Sequence, residues 1–408
     1  MGKHPVWTST IASLRNRNFR LFSIGMLFSF TALQMQTLTV NYIVYQLAGT
    51  AKAIGYVSAA SGLSMLVFSF AGGIAADRLP KRNLMALSQG AIALVTLALG
   101  VLISTKMVQV GHIFVFSIIF GALSAFNMTA RQSYIPDLVG TESMTNAQAL
   151  IAGNMSLTRI VGPAAAGVLL GLFGASPVFY IKTMAHCLFV VMLLLIPVKG
   201  QASLSSRSIL GDAIDGLRYL RRDRRIFDLL LLGIVPIIFG VPYINFLPVF
   251  QKVVFHVGPS ELGLMMSITG VGAIVGSLAM AVLSESRKKG RILFVTGAGF
   301  GAGLLLFAIT ASMGNFPVSL VMLALVGATG TAFMALNSAL VQIITPPEMH
   351  GRVQGLFIAA LGLTSLGGLP MGILVDAIGP SLTMGLFGAI TMVFVTVMTL
   401  SRPNLRRL

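Results

Sequence analysis

The chain has 408 residues, of which 56% are hydrophobic and only 10% charged, with a formal charge of +17. Soluble domains carry about 25% charged residues, so a mean hydropathy of +0.90 excludes an ordinary water-soluble enzyme or binding module. A single cysteine, Cys187, excludes an internal disulfide and any cysteine-based metal cluster.

Apolar runs long enough to cross about 30 Å of hydrocarbon as helix recur along the chain, and twelve are expected. Residues 1–19 read as a cytoplasmic lead ending in Arg15-Asn16-Arg17-Asn18-Phe19-Arg20, an interfacial anchor. The first apolar run is too long, and too polar in its middle, for a cleavable signal. Span 1 covers about 20–47, with Gln34, Thr37 and Asn41 at i, i+3 and i+7 on one face. Amides are costly against lipid, so this face either lines a wet cavity or makes interhelical hydrogen bonds. Span 2, about 53–76, carries Gly55, Ser58, Gly62 and Gly72-Gly73, small enough for close helix approach. It runs into Asp77-Arg78-Leu79-Pro80-Lys81-Arg82, a carboxylate and three cations at a hairpin mouth.

Span 3 follows at about 83–104 and span 4 at about 110–132, the latter with Ser117, Ser124, Asn127 and Arg131 on one face. After Pro136-Asp137-Leu138-Val139, the segment Asn146-Ala147-Gln148 opens span 5, which contains Arg159-Ile160-Val161-Gly162-Pro163. A mid-span arginine costs roughly 2.5–3.5 kcal/mol on insertion scales. Arg159 is therefore expected to point inward, either as a structural pin on backbone carbonyls or as a substrate or coupling contact. Span 6, about 177–197, includes His186, either a packed or a titrating group.

Residues 199–225 form a basic amphipathic linker, with Ile214, Leu217 and Leu220 beside Arg218, Arg221, Arg222, Arg224 and Arg225. Such a helix lies on an anionic inner leaflet. Span 7, about 226–251, holds Pro236, Pro242 and Pro248, which invite a break, with Tyr243 and Asn245 among them. Broken mid-membrane helices are where transporters bind cargo, although proline also occurs in ordinary spans. Spans 8 to 12 follow at about 259–284, 291–312, 316–343, 350–376 and 381–400, and 401–408 form a tail. With both termini in the cytoplasm, 23 of the 28 Lys and Arg residues fall on the cytoplasmic side and four (Lys52, Lys106, Lys182 and Lys252) on the other. This positive-inside bias sets a multi-pass topology and removes nucleic acid as the partner suggested by the net charge.

The two halves repeat. A shift of 208 aligns Gly55 with Gly263, Gly62 with Gly270, Asp77 with Glu285 and Lys81 with Lys289; a shift of 210 aligns Asn127 with Asn337. Two related six-helix bundles, 20–198 and 226–400, are expected, an architecture associated with alternating access. Arg159 has no counterpart: Ser365 stands at its repeat position.

The Gly-x-x-x-Asp-Arg-x-x-Lys-Arg spacing at 73–82 resembles the loop signature of major facilitator superfamily transporters, with Pro80 where that family carries glycine. Ala130-Arg131-Gln132, Pro136-Asp137-Leu138-Val139 and Arg159-x-x-Gly162-Pro163 are similar to its drug-export and siderophore-export branch. The resemblance implies an all-α membrane protein of twelve helices in two pseudo-symmetric bundles. It also implies that Asp77 packs on the start of span 11 near Arg352, with Glu285 as its repeat partner facing span 5, and that Arg78, Lys81, Arg82, Arg131 and Asp137 belong to the same gating set. Gln34, Thr37, Asn41, Asn127, Arg159, Tyr243, Asn245 and Asn337 are the candidate substrate contacts. Proton antiport is likewise implied, yet none of the eleven acids lies mid-span.

The expected activity is export of an amphipathic small molecule across the inner membrane by a monomer in contact with lipid, without cofactor or metal. Import or lipid translocation on the same fold is the alternative. A membrane enzyme would need a catalytic signature, and no His-Glu-x-x-His, Gly-x-Ser-x-Gly or Walker sequence is present. A transport-dead receptor would need an output domain that this chain does not provide.

Overall fold

A computed structural model describes residues 12–140, 143–200, 224–283, 286, 288–346, 349 and 364–402. Eleven helices among them are long and apolar enough to cross a membrane. They are α1 (Arg17–Ala48), α2 (Ala51–Arg78), α3 (Lys81–Ser104), α4 (Val110–Val139), α5 (Met144–Phe173) and α6 (Ala175–Leu194), then the interrupted span Arg224–Val254. After it come α9 (Pro259–Val282), α10 (Lys289–Ser312), α11 (Phe316–Ile344) and, beyond the shorter α12 (Thr364–Ile378), α13 (Pro380–Ser401). Most of span 11's expected first half lies outside the described residues. Spans 1, 3, 7 and 9 begin on Arg17, Lys81, Arg224 and Lys289; these ends are called basic and the opposite ends far.

Local chemistry sets the turns. Gly174 (φ 78°) and Gly379 (φ 87°) each join two spans through one residue, α5 to α6 and α12 to α13. A positive φ at such a tight reversal favours glycine. The two turns occupy corresponding places in the repeat, before the last span of each half. Span 7 breaks where its prolines predict. Its first rod, α7 (Arg224–Phe239), ends in a turn at 240–242, and α8 (Tyr243–Val249) continues into a π-helical segment, Phe250–Val254. Pro236, Pro242 and Pro248 donate no backbone hydrogen bond, and Gly240 N closes the first rod on Pro236 O at 2.7 Å. The ring of Phe300 fills the space that a side chain at 240 would need.

The chain divides into two compact units, one of residues 1–40 and 64–206, the other of 41–63 and 207–408. In the first, α3 packs on α6 and α4, and Ser64 Oγ donates to Ile118 O (2.6 Å) between α2 and α4. In the second, α10 packs on α13 and α11, and α9 packs on α11. The scheme is the same: third span against fourth and sixth, second against fourth. The first core is aromatic, Phe22 meeting Tyr134 edge-on at 5.7 Å and Phe189 at 6.1 Å. The second gathers Leu229, Phe333, Leu340 and Val395. Large apolar side chains also face outward, Val282 and Leu87 among them. That pattern suits helices solvated by lipid, where apolar exposure carries no penalty.

Candidate functional site: a far-end seam and buried polar clusters

At the far end, residues 41–63 of spans 1 and 2 belong to the second unit and are held to spans 7 and 11 by polar contacts. Asp376 on α12 accepts hydrogen bonds from Ala51 N (2.7 Å) and Lys52 N (3.0 Å). These are the first two residues of α2, whose N–H groups have no partner within their own helix and sit at its positive end. Lys52 lies four residues before Tyr56 on a turn that faces outward, so the carboxylate meets backbone, not the lysine ammonium. Lys252 Nζ donates to Gln46 Oε1 (2.9 Å) and stands 5.5 Å from the Tyr45 ring centroid. Asn41 donates to Asn245 Oδ1 (3.0 Å), joining two of the candidate substrate contacts. Close backbone approach completes the seam. A Cβ on Gly55 would stand 2.8 Å from Gly368 O, and one on Gly372 would stand 2.7 Å from Ala51 O.

At the basic end of the first unit, three predicted gating residues form a clasp around the exit of span 6. Lys81 Nζ contacts Asp137 Oδ2 at 2.9 Å and donates to Ser133 O at 3.1 Å. Arg82 donates from Nη1 to Ile196 O (2.7 Å) and from its backbone N to Lys199 O (3.1 Å). Tyr134 Oη donates to Val198 O at 2.6 Å. The clasp ties spans 3 and 4 to the chain leaving span 6. Asp77, half-buried, ends α2, and Arg78 beside it is exposed. Arg352, expected near Asp77, and Glu285, the repeat counterpart of Asp77 expected to face span 5, lie outside the described residues.

The remaining candidates separate. The guanidinium of Arg131 lies 4.9 Å over the Phe30 ring. Gly162 lets α5 approach α1, since a Cβ there would fall 2.6 Å from Gln34 Cβ; Arg159, one turn away on α5, is exposed. Thr37 is half-buried and donates to Leu33 O (3.3 Å). Tyr243, at the start of α8, is buried. Asn127 and Asn337, matched by the repeat, diverge. Asn127 donates to Ser88 Oγ on α3 (3.3 Å), whereas Asn337 is fully enclosed and donates to Leu229 O on α7 (3.0 Å). In this arrangement Asn337 braces span 10 on span 7.

One placement corrects the sequence reading. Lys182, counted above with the cations outside the membrane, is 0% exposed and lies within α6. Its Nζ sits 3.9 Å over the Phe179 ring. One turn on, His186 Nδ1 meets Gln89 Oε1 at 2.7 Å, and Gln89 Nε2 donates to Ser29 Oγ at 3.0 Å. This chain joins α6, α3 and α1. Among the described residues, Lys182 Nζ, His186 Nε2, Thr96 Oγ1 and Gln36 Oε1 are buried without a hydrogen-bond partner. An unsatisfied buried polar atom costs about 1–3 kcal/mol. A lysine this close to a span end reads as a snorkelling flank, so only packing could reveal it.

The comparisons accord with this architecture. The family profile described as "Transmembrane secretion effector" matches residues 8–408. The chain is 27% identical to the Staphyloferrin A transporter of Staphylococcus aureus, over 87% of this chain and 90% of that one. It is 25% identical to the multidrug efflux pump Tap of Mycolicibacterium fortuitum (90% and 91% covered) and 24% identical to the enterobactin exporter EntS of Citrobacter koseri (89% and 88%). Among solved structures, a D-xylose-proton symporter superposes with a TM-score of 0.77 at 12% identity, covering 97% of this chain and 99% of that one. A bacterial homologue of the lysosomal transporter Spinster gives 0.75 at 14% identity, covering 99% and 98%. The fold is the twelve-helix major facilitator fold, and the chain belongs to the transmembrane secretion effector family of major facilitator transporters.

Proposed function

We propose that the protein exports an amphipathic small molecule, of the drug or siderophore class, by alternating access driven by proton antiport. In this reading the basic ends face the cytoplasm, as do both termini. The observation that carries it is the far-end seam. Its polar part is few in number and breakable: one carboxylate on two backbone donors, one lysine–glutamine contact and one asparagine pair. Beneath it the backbones approach closely at Gly55 and Gly372. Such a seam closes the outer end and can separate at modest cost, which an alternating machine needs. The names of the relatives, a siderophore transporter, a siderophore exporter and a multidrug pump, favour outward movement of this cargo class.

The broken span 7 supports cargo contact near Tyr243 and Asn245, and Arg159 on α5 is a candidate contact for an acidic cargo group. The test is accumulation of drugs and of staphyloferrin- or enterobactin-type siderophores in cells with and without the protein, repeated with a protonophore. Lower accumulation that depends on the protein and is lost with the gradient is expected. Protein-dependent loss that persists after the gradient collapses would refute antiport, and no protein-dependent change for any of these compounds would refute the cargo class.

A further inference from the structure

The acids of the first unit are Asp77, Asp137 and Glu142; Asp77 and Asp137 stand in the last turns of α2 and α4, at their basic ends, so no Asp or Glu lies in the interior of its described spans. Titratable bases are nevertheless present at membrane depth. Lys182 and His186 stand four residues apart on one face of α6. At the far end Ser104 meets Tyr180 (2.8 Å) and Gly100 meets Phe179, while further in Gln89 meets His186. Thr96, seven residues beyond Gln89 and hence on its face of α3, is thereby brought to the level of Lys182. On α1, Gly25 faces Phe189 and Ser29 faces Gln89, so Gln36, seven residues beyond Ser29, reaches the level between Phe179 and Lys182. Of the six buried side-chain polar atoms without a partner among the described residues, four therefore fall in one place.

We propose that Lys182 and His186, framed by Gln36, Gln89 and Thr96, are an enclosed proton-binding site, and that its occupancy couples the proton to transport. The coupling part rests on the antiport reading above; the site itself does not. The hydrogen bonds define its chemistry. Gln89 donates to Ser29 and turns its oxygen to His186 Nδ1, so that nitrogen carries the hydrogen and Nε2 of the neutral ring is a bare acceptor. A proton delivered by water that reaches the site protonates either base, His186 Nε2 giving an imidazolium or Lys182 Nζ an ammonium, and the charge of the site rises by one. An unpaired charge is costly in so apolar a shell, so proton occupancy responds to any change in packing that admits water.

The groups facing the pair from its packed neighbours are neutral: Ser29 and Gln36 from α1, Gln89 and Thr96 from α3. The charged groups on those helices, Arg17, Arg20, Lys81 and Arg82, stand at the basic ends, and Arg159 of α5 is exposed. On α6 itself Cys187 and Tyr180 are exposed, the latter bonded to Ser104.

The test uses full-length protein in lipid nanodiscs with 15N-labelled histidine, since the chain has five histidines and His186→Gln identifies the signal. As the pH is lowered from about 9 to the acid limit at which the nanodisc-held protein stays folded, the His186 ring signals are expected to move, and Lys182→Met, which removes a neighbouring positive charge, to shift that profile toward higher pH. A His186 signal that stays constant throughout that range overturns the site. In cells, Lys182→Met and the polar Lys182→Gln, each checked for membrane insertion and monodispersity, are expected to cut gradient-driven export at least tenfold. Wild-type gradient dependence in both overturns the coupling. If export by the wild type ignores the gradient, the antiport reading fails, while the nanodisc titration still decides the site.

Discussion

Asp376→Asn isolates the charge that holds α12 to the start of α2 in the far-end seam. The carboxylate holds two backbone donors, Ala51 N and Lys52 N, at 2.7 and 3.0 Å. Asparagine keeps one acceptor oxygen, removes the negative charge from the helix start and turns an amide N–H₂ toward one of the two donors. A charge at a helix terminus contributes about 0.3–2 kcal/mol, and a hydrogen bond to a charged group about 1.5–3 kcal/mol. With one bond retained, the loss is about 1–2 kcal/mol, a factor of about 5–30 in the balance between closed and open far ends. Ser58 reports it, because its Cβ lies 3.4 Å from where a side chain on Gly368 would begin, inside the seam. In a Cys187→Ser background, Ser58→Cys should react with a membrane-impermeant maleimide several-fold faster from the far side once Asp376→Asn is added. Asp376→Glu should fall between the two. Reactivity unchanged within about twofold would show that the contact carries none of the closing energy and would refute the reasoning.

Gly372→Val places a branched side chain against Ala51 O, 2.7 Å from its Cβ, and should raise Ser58→Cys labelling as Asp376→Asn does; unaltered labelling would mean that the backbones separate without consequence. Lys81→Met and Asp137→Asn each break a partly buried pair, with side chains 10% and 27% exposed, and should each cost about 1–3 kcal/mol, lowering the unfolding midpoint of the detergent-purified protein. The double variant should lose less than the sum, and strict additivity would show that the two charges do not interact. Arg159→Ala should lower export several-fold at equal membrane abundance; unchanged export would remove Arg159 from the cargo path.

What was legible in the sequence follows from where its information resides. The spans, the break in span 7 and the repeat depend on composition, on proline's missing donor and on spaced glycines, all of which one chain displays directly. The helix pairings then repeat between units, and so do the single-residue turns at Gly174 and Gly379. Lys81 and Asp137 could be singled out because charges at a loop are conspicuous, although their mutual contact could not. The seam was hidden for a different reason. Asp376 binds backbone N–H groups, which every residue but proline owns, so nothing in Ala51 or Lys52 announces the partner. Asn127 and Asn337 show the limit of repeat reasoning: the same residue at matched positions bonds a side chain in one half and a carbonyl in the other. Lys182 was misplaced because distance from a span end does not tell a surface flank from a core position.

The interruption of span 7 has a mechanical consequence. An unbroken rod of 31 residues would transmit any tilt at one end to the other. Here the π-helical end near Lys252 belongs to the far-end contacts, while α7 is bolted at the other end by Asn337 and stands beside Arg402, whose Nε lies 3.6 Å from Asp228. The turn at 240–242 thus divides one span into two struts, each anchored by its own contacts.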